Sequence, residues 1–201
     1  MSWTPPAGTA ALIFDCDGTL ADTMPAHFRA WQVVLAGVGI DFGEARFYQL
    51  GGVPTDKIVR IIAAENGVTF SEEQVATLTH GKEAEFVKSL AHVKAIEPVR
   101  EIAARYRGKM PTAVASGGYR EVIAQTLRVV GMADWFDATV TAEDTTRHKP
   151  EPDVFLEAAR RLKADATKCV VFEDTDIGLE AARRAGMVGV DVRLWLPPRG
   201  V

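Results

Sequence analysis

Along the chain, short apolar runs alternate with stretches in which apolar residues return every three or four positions. Runs at 10–14, 110–115, 138–141, 169–172 and 188–192 have the length and composition of buried strands. In "EPDVFLEAARRL", residues Val154, Phe155, Ala158 and Leu162 fall on one helical face. "IGLEAARRAG" repeats the pattern with Ile177, Ala181 and Ala185, and Gly186 reads as its terminator. Strands alternating with helices predict an α/β fold, a doubly wound parallel sheet with right-handed crossovers.

One interval departs from this alternation. From about 23 to 92 the pattern is helical, with no buried strand. "MPAHFRAWQVVLAG" puts Pro25 near a helix start, with Asp22 and Thr23 as caps. "PTDKIVRIIAAENG" and "SEEQVATLTHGKEAEFVKSL" follow, separated by a stop at Asn66-Gly67. The expected organisation is a core built from 1–22 plus 93–201, carrying a small helical cap at 23–92. Such a bundle is marginal alone and should lean on the core.

Charge narrows the partners. The formal net charge is -4 and the basic residues are scattered, so no basic stripe suits a nucleic acid. An anionic substrate must be attracted by a few local groups or a metal. Apolar runs such as "AALIF" and "CVVF" fall far short of the ~20 residues that a membrane helix needs. "MSWTPPAGTA" lacks a basic segment followed by an apolar one, so no signal peptide is expected. Cys16 and Cys169 lack metal-type spacing and read as reduced packing residues of a cytoplasmic protein.

Candidate chemistry gathers at the strand ends. "IFDCDGT" closes the first strand with Asp15 and Asp17, two apart and so expected to face one crevice at the sheet's carboxyl edge. Gly18 permits a turn and Thr19 can tie it down. "AVASGG" ends the second strand with Ser116 and Gly117 opening a helix, where a hydroxyl and backbone N–H groups suit a phosphate. "RHKPEPD" places Lys149 after the third strand, and "CVVFEDT" ends the fourth in Glu173 and Asp174, oxygen ligands for a hard cation such as Mg²⁺. Each feature alone also fits a plain loop, cap or solvated charge. Their coincidence at four strand ends favours a phosphate and metal site.

The chain resembles the haloacid dehalogenase superfamily through "DCDGT", "ASG", "KPEPD" and "FEDT", with the helical insert standing as that family's small cap. "DTMPAHFRAW" and "VFEDTDIGLEAARRAGM" narrow the resemblance to the β-phosphoglucomutase-like branch. It implies a Rossmann-like core and an Mg²⁺-dependent reaction in which Asp15 attacks phosphorus to give an aspartyl phosphate. By the same resemblance, Asp15, the Asp17 carbonyl and Asp174 hold the metal, with Glu173 assisting. Lys149, Ser116 and the N–H groups near Cys16, Asp17 and Gly117 hold the phosphoryl oxygens. Asp17 protonates the leaving oxygen and then activates water.

The branch contains phosphatases and mutases. His27 matches the cap-hinge histidine of the mutases and Lys82 a cap lysine, but Thr55 stands where the mutase pattern "GVSRE" carries an arginine. A hydroxyl does not replace a bidentate, permanently charged fork. "GVPT", and a chain that ends soon after "DVRL", resemble the phosphatases acting on fructose 1-phosphate and 6-phosphogluconate. The expectation is therefore a monomeric phosphatase of a small phosphorylated sugar, with β-phosphoglucomutase as the alternative and Lys57 as a possible substitute for the missing charge. A 2-haloacid dehalogenase needs no acid at Asp17. A non-catalytic phosphate-binding relative should have lost Asp15, Lys149 or Asp174.

Overall fold

The computed structural model describes residues 3–196. Strands β1 (Ala11–Phe14), β2 (Thr112–Ala115), β3 (Ala138–Val140), β4 (Cys169–Glu173) and β5 (Val188–Asp191) form one parallel sheet. Its order is β3-β2-β1-β4-β5, so β1 is central. Leu12 stands opposite Thr112 on one side and Val170 on the other.

Every side chain of β1 is buried because helices cover both faces of the sheet. On one face Leu12, Phe14, Val114 and Phe172 pack against α5 (Glu97–Tyr106) and α6 (Arg120–Val129), through Ile102 and Ile123. On the other, Ala11, Ile13, Ala113 and Val171 meet α7 (Asp153–Arg161) and α8 (Asp176–Arg184), through Phe155, Ala158 and Ala181. Period-two alternation in the strands thus meets helical periodicity on each side. The sequence expectation of a buried run at 188–192 is corrected in part. β5 is an edge strand, Val188 is 49% exposed, and Val192 begins a 3₁₀ turn.

Helices α1 (Met24–Ala36), α2 (Glu44–Gln49), α3 (Thr55–Glu65) and α4 (Glu72–Ser89) follow β1 directly. Helix α3 stops at Asn66-Gly67, where Gly67 takes φ 66. Ser71 and Gln74 form a reciprocal capping box at the start of α4. Trp31, Leu35, Phe47, Ile58, Ile62 and Leu78 give these helices a hydrophobic cluster of their own. Phe86 and Leu90 instead join the cluster under the sheet. The two connections to the sheet are laced together: Ile96 N donates to Leu20 O at 2.9 Å, and Asp22 N to Lys94 O at 2.8 Å.

The loop between α2 and α3 touches the sheet's carboxyl edge. A Cβ on Gly51 would lie 3.1 Å from Thr175 Cγ2, and one on Gly52, at φ +82, would lie 3.1 Å from Ile177 Cδ1. Trp3 and Trp195 pack on Phe172, with ring centroids 4.9 Å and 6.1 Å away. The last part of the "DVRLWLPPRGV" comparison, 197–201, lies outside the described residues.

Phe14 stacks on Phe172 at 4.7 Å in the centre of this packing. Phe14→Ala should lower unfolding free energy by about 3–5 kcal/mol. A urea titration followed by circular dichroism reads this loss, and a change under 1 kcal/mol would remove Phe14 from the core argument.

Candidate active site

β1 ends at Phe14, and Asp15 to Thr19 turn over the carboxyl edge of the sheet. Asp15 N still donates to Phe172 O at 3.0 Å, which anchors the carboxylate beside β4. Beyond it the chain folds back, with Gly18 N donating to Ala21 O at 2.8 Å. Asp15 and Asp17 do line one cavity, but the turn places them there rather than strand alternation. Gly18 has φ +81, and a Cβ there would lie 2.1 Å from Asp174 Oδ2. Only a glycine lets this turn come so close to the second carboxylate.

Lys149 is buried in the connection between β3 and α7. Its Nζ donates to Asp15 Oδ1 and to Glu173 Oε2, each at 2.7 Å. The other Glu173 oxygen accepts from Asp174 N at 3.0 Å, Thr175 N at 2.9 Å and Thr175 Oγ1 at 2.8 Å. Thr175 in turn caps α8 through Gly178 N. Glu173 is therefore fully engaged by protein donors and braces the loop. Asp174 Oδ1 accepts from Thr19 Oγ1 at 3.0 Å.

Asp15, Glu173 and Asp174 each place an oxygen within 4.8 Å of the others. Burial pushes the Asp15 carboxyl well above its ordinary range, and the neighbouring carboxylates add to this against the pull of Lys149. Burial and then Glu173 push Asp174 up to about 8. Burial would lower the Lys149 ammonium, but Asp15 and Glu173 outweigh it and hold the group charged. One buried cation thus faces a surplus of carboxylate. An oxygen-ligated divalent cation fits that surplus, and Asp15 and Asp174 are the groups to take it, with Glu173 beside them.

Ser116 follows β2 and is buried, its Oγ accepting from Gly118 N at 3.0 Å. The expectation that Ser116 and Gly117 open a helix is corrected: α6 begins at Arg120, and residues 116–119 form a loop. Among the described residues, the backbone N–H groups of Cys16, Asp17 and Gly117 donate to no protein acceptor. Orphan donors in a pocket are unusual unless something occupies it. With Ser116 and Lys149 they form an anion-binding set.

From the helical side, Asp17 Oδ1 accepts from Thr23 Oγ1 at 2.8 Å and meets His27 Nε2 at 3.3 Å. Thr23 occupies the cap position of α1 but makes no side-chain cap; its hydroxyl serves Asp17. Lys82 Nζ lies 2.9 Å from His27 Nδ1. An ammonium can only donate, so Nδ1 accepts and the imidazole proton sits on Nε2, donating to Asp17. Burial and then Lys82 hold His27 below its ordinary pKa. Burial would raise Asp17, but the His27 hydrogen bond, Thr23 and Lys82 bring it below the usual carboxylate range. His27 is neither surface nor simple packing, although its ring stacks on Phe86 at 3.8 Å.

Thr55 opens α3 and lines the same cavity, its Oγ1 donating to Glu83 Oε1 at 2.8 Å. Lys82 Nζ reaches the same oxygen at 3.0 Å. Lys57 does not line the cavity and is exposed. Glu83 is a cavity residue that sequence patterning missed. Its one signal was adjacency to Lys82.

A family model for haloacid dehalogenase-like hydrolases matches residues 9–186. The chain is 38% identical over 187 residues to fructose-1-phosphate phosphatase YqaB of Escherichia coli (strain K12), covering 92% of this chain and 97% of that one. It is 27% identical to the 6-phosphogluconate phosphatase of the same organism, covering 88% and 79%. In fold it is similar to the crystal structure of beta-phosphoglucomutase from Clostridium difficile, with TM-score 0.85 at 24% identity over 90% of this chain and 83% of that one. The motif loops, the sheet that carries them and the match along the chain have one reading: this protein belongs to the haloacid dehalogenase-like hydrolases.

Proposed function

We propose that this hydrolase is an Mg²⁺-dependent phosphatase of small sugar phosphates that works through an aspartyl phosphate on Asp15. The observation that carries the reading is the pairing of Asp15 and Asp17 in one cavity with Lys149 and Gly117, where the N–H groups of Asp17 and Gly117 are orphaned. The substrate class follows from the relatives, which act on fructose 1-phosphate and on 6-phosphogluconate.

An Asp15 carboxylate oxygen attacks phosphorus, and the bond from phosphorus to the sugar oxygen breaks. Asp17 supplies the proton that the leaving oxygen takes up. Water then attacks the acyl phosphate, gives its proton to Asp17, and releases phosphate with Asp15 restored. His27 and Thr23 keep Asp17 ionised in the free enzyme, the form that serves as base. An arriving phosphate dianion favours the protonated form needed first. Lys149, Ser116 and the backbone donors hold the phosphoryl oxygens where charge accumulates. Mg²⁺ held by Asp15, the Asp17 carbonyl and Asp174, with Glu173 alongside, would neutralise phosphoryl charge as a Lewis acid.

The mutase alternative asks for a free cation on the cap side to grip a second phosphate. Lys82 is committed to His27 and Glu83, Lys57 lies outside, and Thr55 brings only a hydroxyl. Residues 23–92 act as the cap and 1–22 plus 93–201 as the catalytic core, and a monomer suffices because one chain closes the cavity. No described helix is long and apolar enough to cross a membrane.

Asp15→Asn should reduce Mg²⁺-dependent phosphate release from p-nitrophenyl phosphate by about 10³-fold or more. Activity within tenfold of wild type would overturn the covalent mechanism. Asp17→Asn should slow fructose 1-phosphate by about 10²-fold or more, and p-nitrophenyl phosphate much less, since its leaving group needs little protonation. Equal losses on both remove Asp17 as the acid.

Metal and protons compete for the Asp15 and Asp174 carboxyls. The raised Asp174 pKa stabilises the metal-free fold at low pH, and that contribution is lost as pH rises through about 8. Mg²⁺ should therefore raise Tm more at pH 8 than at pH 6 in a thermal-shift titration. A shift independent of pH would place the metal elsewhere.

A further inference from the structure

The cap wall of the cavity holds a carboxylate whose role lies outside the phosphoryl-transfer steps. Glu83 lines the cavity and spends Oε1 on two donors, Thr55 Oγ1 and Lys82 Nζ. Among the described residues its Oε2 makes no hydrogen bond, and the side chain is 16% exposed. Lys82, 5% exposed, is held by Glu83, by His27 Nδ1 and between the rings of Trp31 and Phe86, 5.7 Å and 5.6 Å from their centroids. A buried ammonium so tied cannot turn to a ligand without leaving its counter-ion. The cap wall thus has no uncommitted positive charge, while a carboxylate oxygen stands ready to accept.

We infer that Glu83 determines leaving-group specificity, accepting hydrogen bonds from the hydroxyls of an uncharged polyol and rejecting substrates that carry a second anionic group. The inference rests on the phosphatase reading and names the substrate class within it. Glu83 also lines an adjoining cavity, together with Asp56, Tyr119, Glu143 and His148. Glu143 is occupied by the Arg120 N–H at the start of α6. Asp56 adds a further carboxylate to that adjoining cavity, and Lys57, though close enough to lower the His148 pKa, is exposed outside the main cavity. Hydroxyls gain from unpaired acceptors here, whereas a phosphate or carboxylate meets like charge.

The test compares fructose 1-phosphate with fructose 1,6-bisphosphate, which share the sugar and differ by one anion. Wild type should favour the monophosphate in kcat/KM by about tenfold or more, the factor that one like-charge contact of about 1.4 kcal/mol supplies. Glu83→Gln should lower that preference by about tenfold, chiefly through KM for the bisphosphate, whereas Glu83→Asp should keep it. Glu83→Ser removes the same carboxylate with a smaller side chain and should lower the preference in the same direction, so the test survives if Glu83→Gln does not fold. A preference unmoved in whichever of Glu83→Gln and Glu83→Ser folds overturns the role of Glu83. Wild-type enzyme that releases no phosphate from fructose 1-phosphate or p-nitrophenyl phosphate overturns the phosphatase reading itself.

Discussion

One ammonium holds two carboxylates together at the edge of the sheet, and the site is arranged around that contact. Lys149 joins the loop after β1 to the end of β4 through Asp15 and Glu173, with all three buried. Burying a charge is tolerable only when counter-charges and hydrogen bonds replace water, and breaking such a set by removing one member costs about 3–5 kcal/mol. Glu173 extends the chain of bonds into Thr175 and the start of α8. A Cβ on Gly178 would lie 2.1 Å from the Glu173 carboxyl carbon, so the helix reaches the carboxylate only because that position is glycine. The same crowding leaves Asp174 and Asp15 with more negative charge than Lys149 can answer, and this is why the edge suits a divalent cation.

A second chain of contacts runs through the helices and ends on the other aspartate. Lys82 fixes the His27 tautomer, and His27 with Thr23 fixes Asp17. The two aspartates, two residues apart, are therefore governed from different sides. The sheet loops hold Asp15, and α1 and α4 hold Asp17. Their environments push the two carboxyls in opposite directions, Asp15 up and Asp17 down. Burial acts on both; what differs is that Asp17 is met by His27, Thr23 and the nearby Lys82, whereas around Asp15 three other carboxylates offset Lys149.

Much of this was legible in the chain because its physics is local or one-dimensional. Central strands covered on both faces must be continuous apolar runs, so β1, β2 and β4 stand out, while the edge strand β5 is less buried than its apolar run suggested. Polar residues that end such runs gather at one edge of a parallel sheet, which brings Asp15, Ser116 and Glu173 together by topology alone. What escaped was long-range or depended on rotation about a helix. Helix α2 has only six residues, too few for periodicity to register. Lys57 lies two positions beyond Thr55, about 200° around the helix, so a residue close in sequence faces away from the cavity. Glu83 resembles a solvated helix charge until Thr55, 28 residues earlier, is seen to donate to it.

The loop at Gly51 and Gly52 carries a mechanical consequence. It rests on Thr175 and Ile177 at distances where even a methyl group would be crowded. The distance between the two halves of the cavity is then a property of what this loop lacks. Bare backbone acts as the stop against which this loop seats on the start of α8, away from Asp15 and Asp17. Chains of this architecture could change the size of molecule they admit by adding bulk at the stop alone, leaving the strand-edge chemistry as it is.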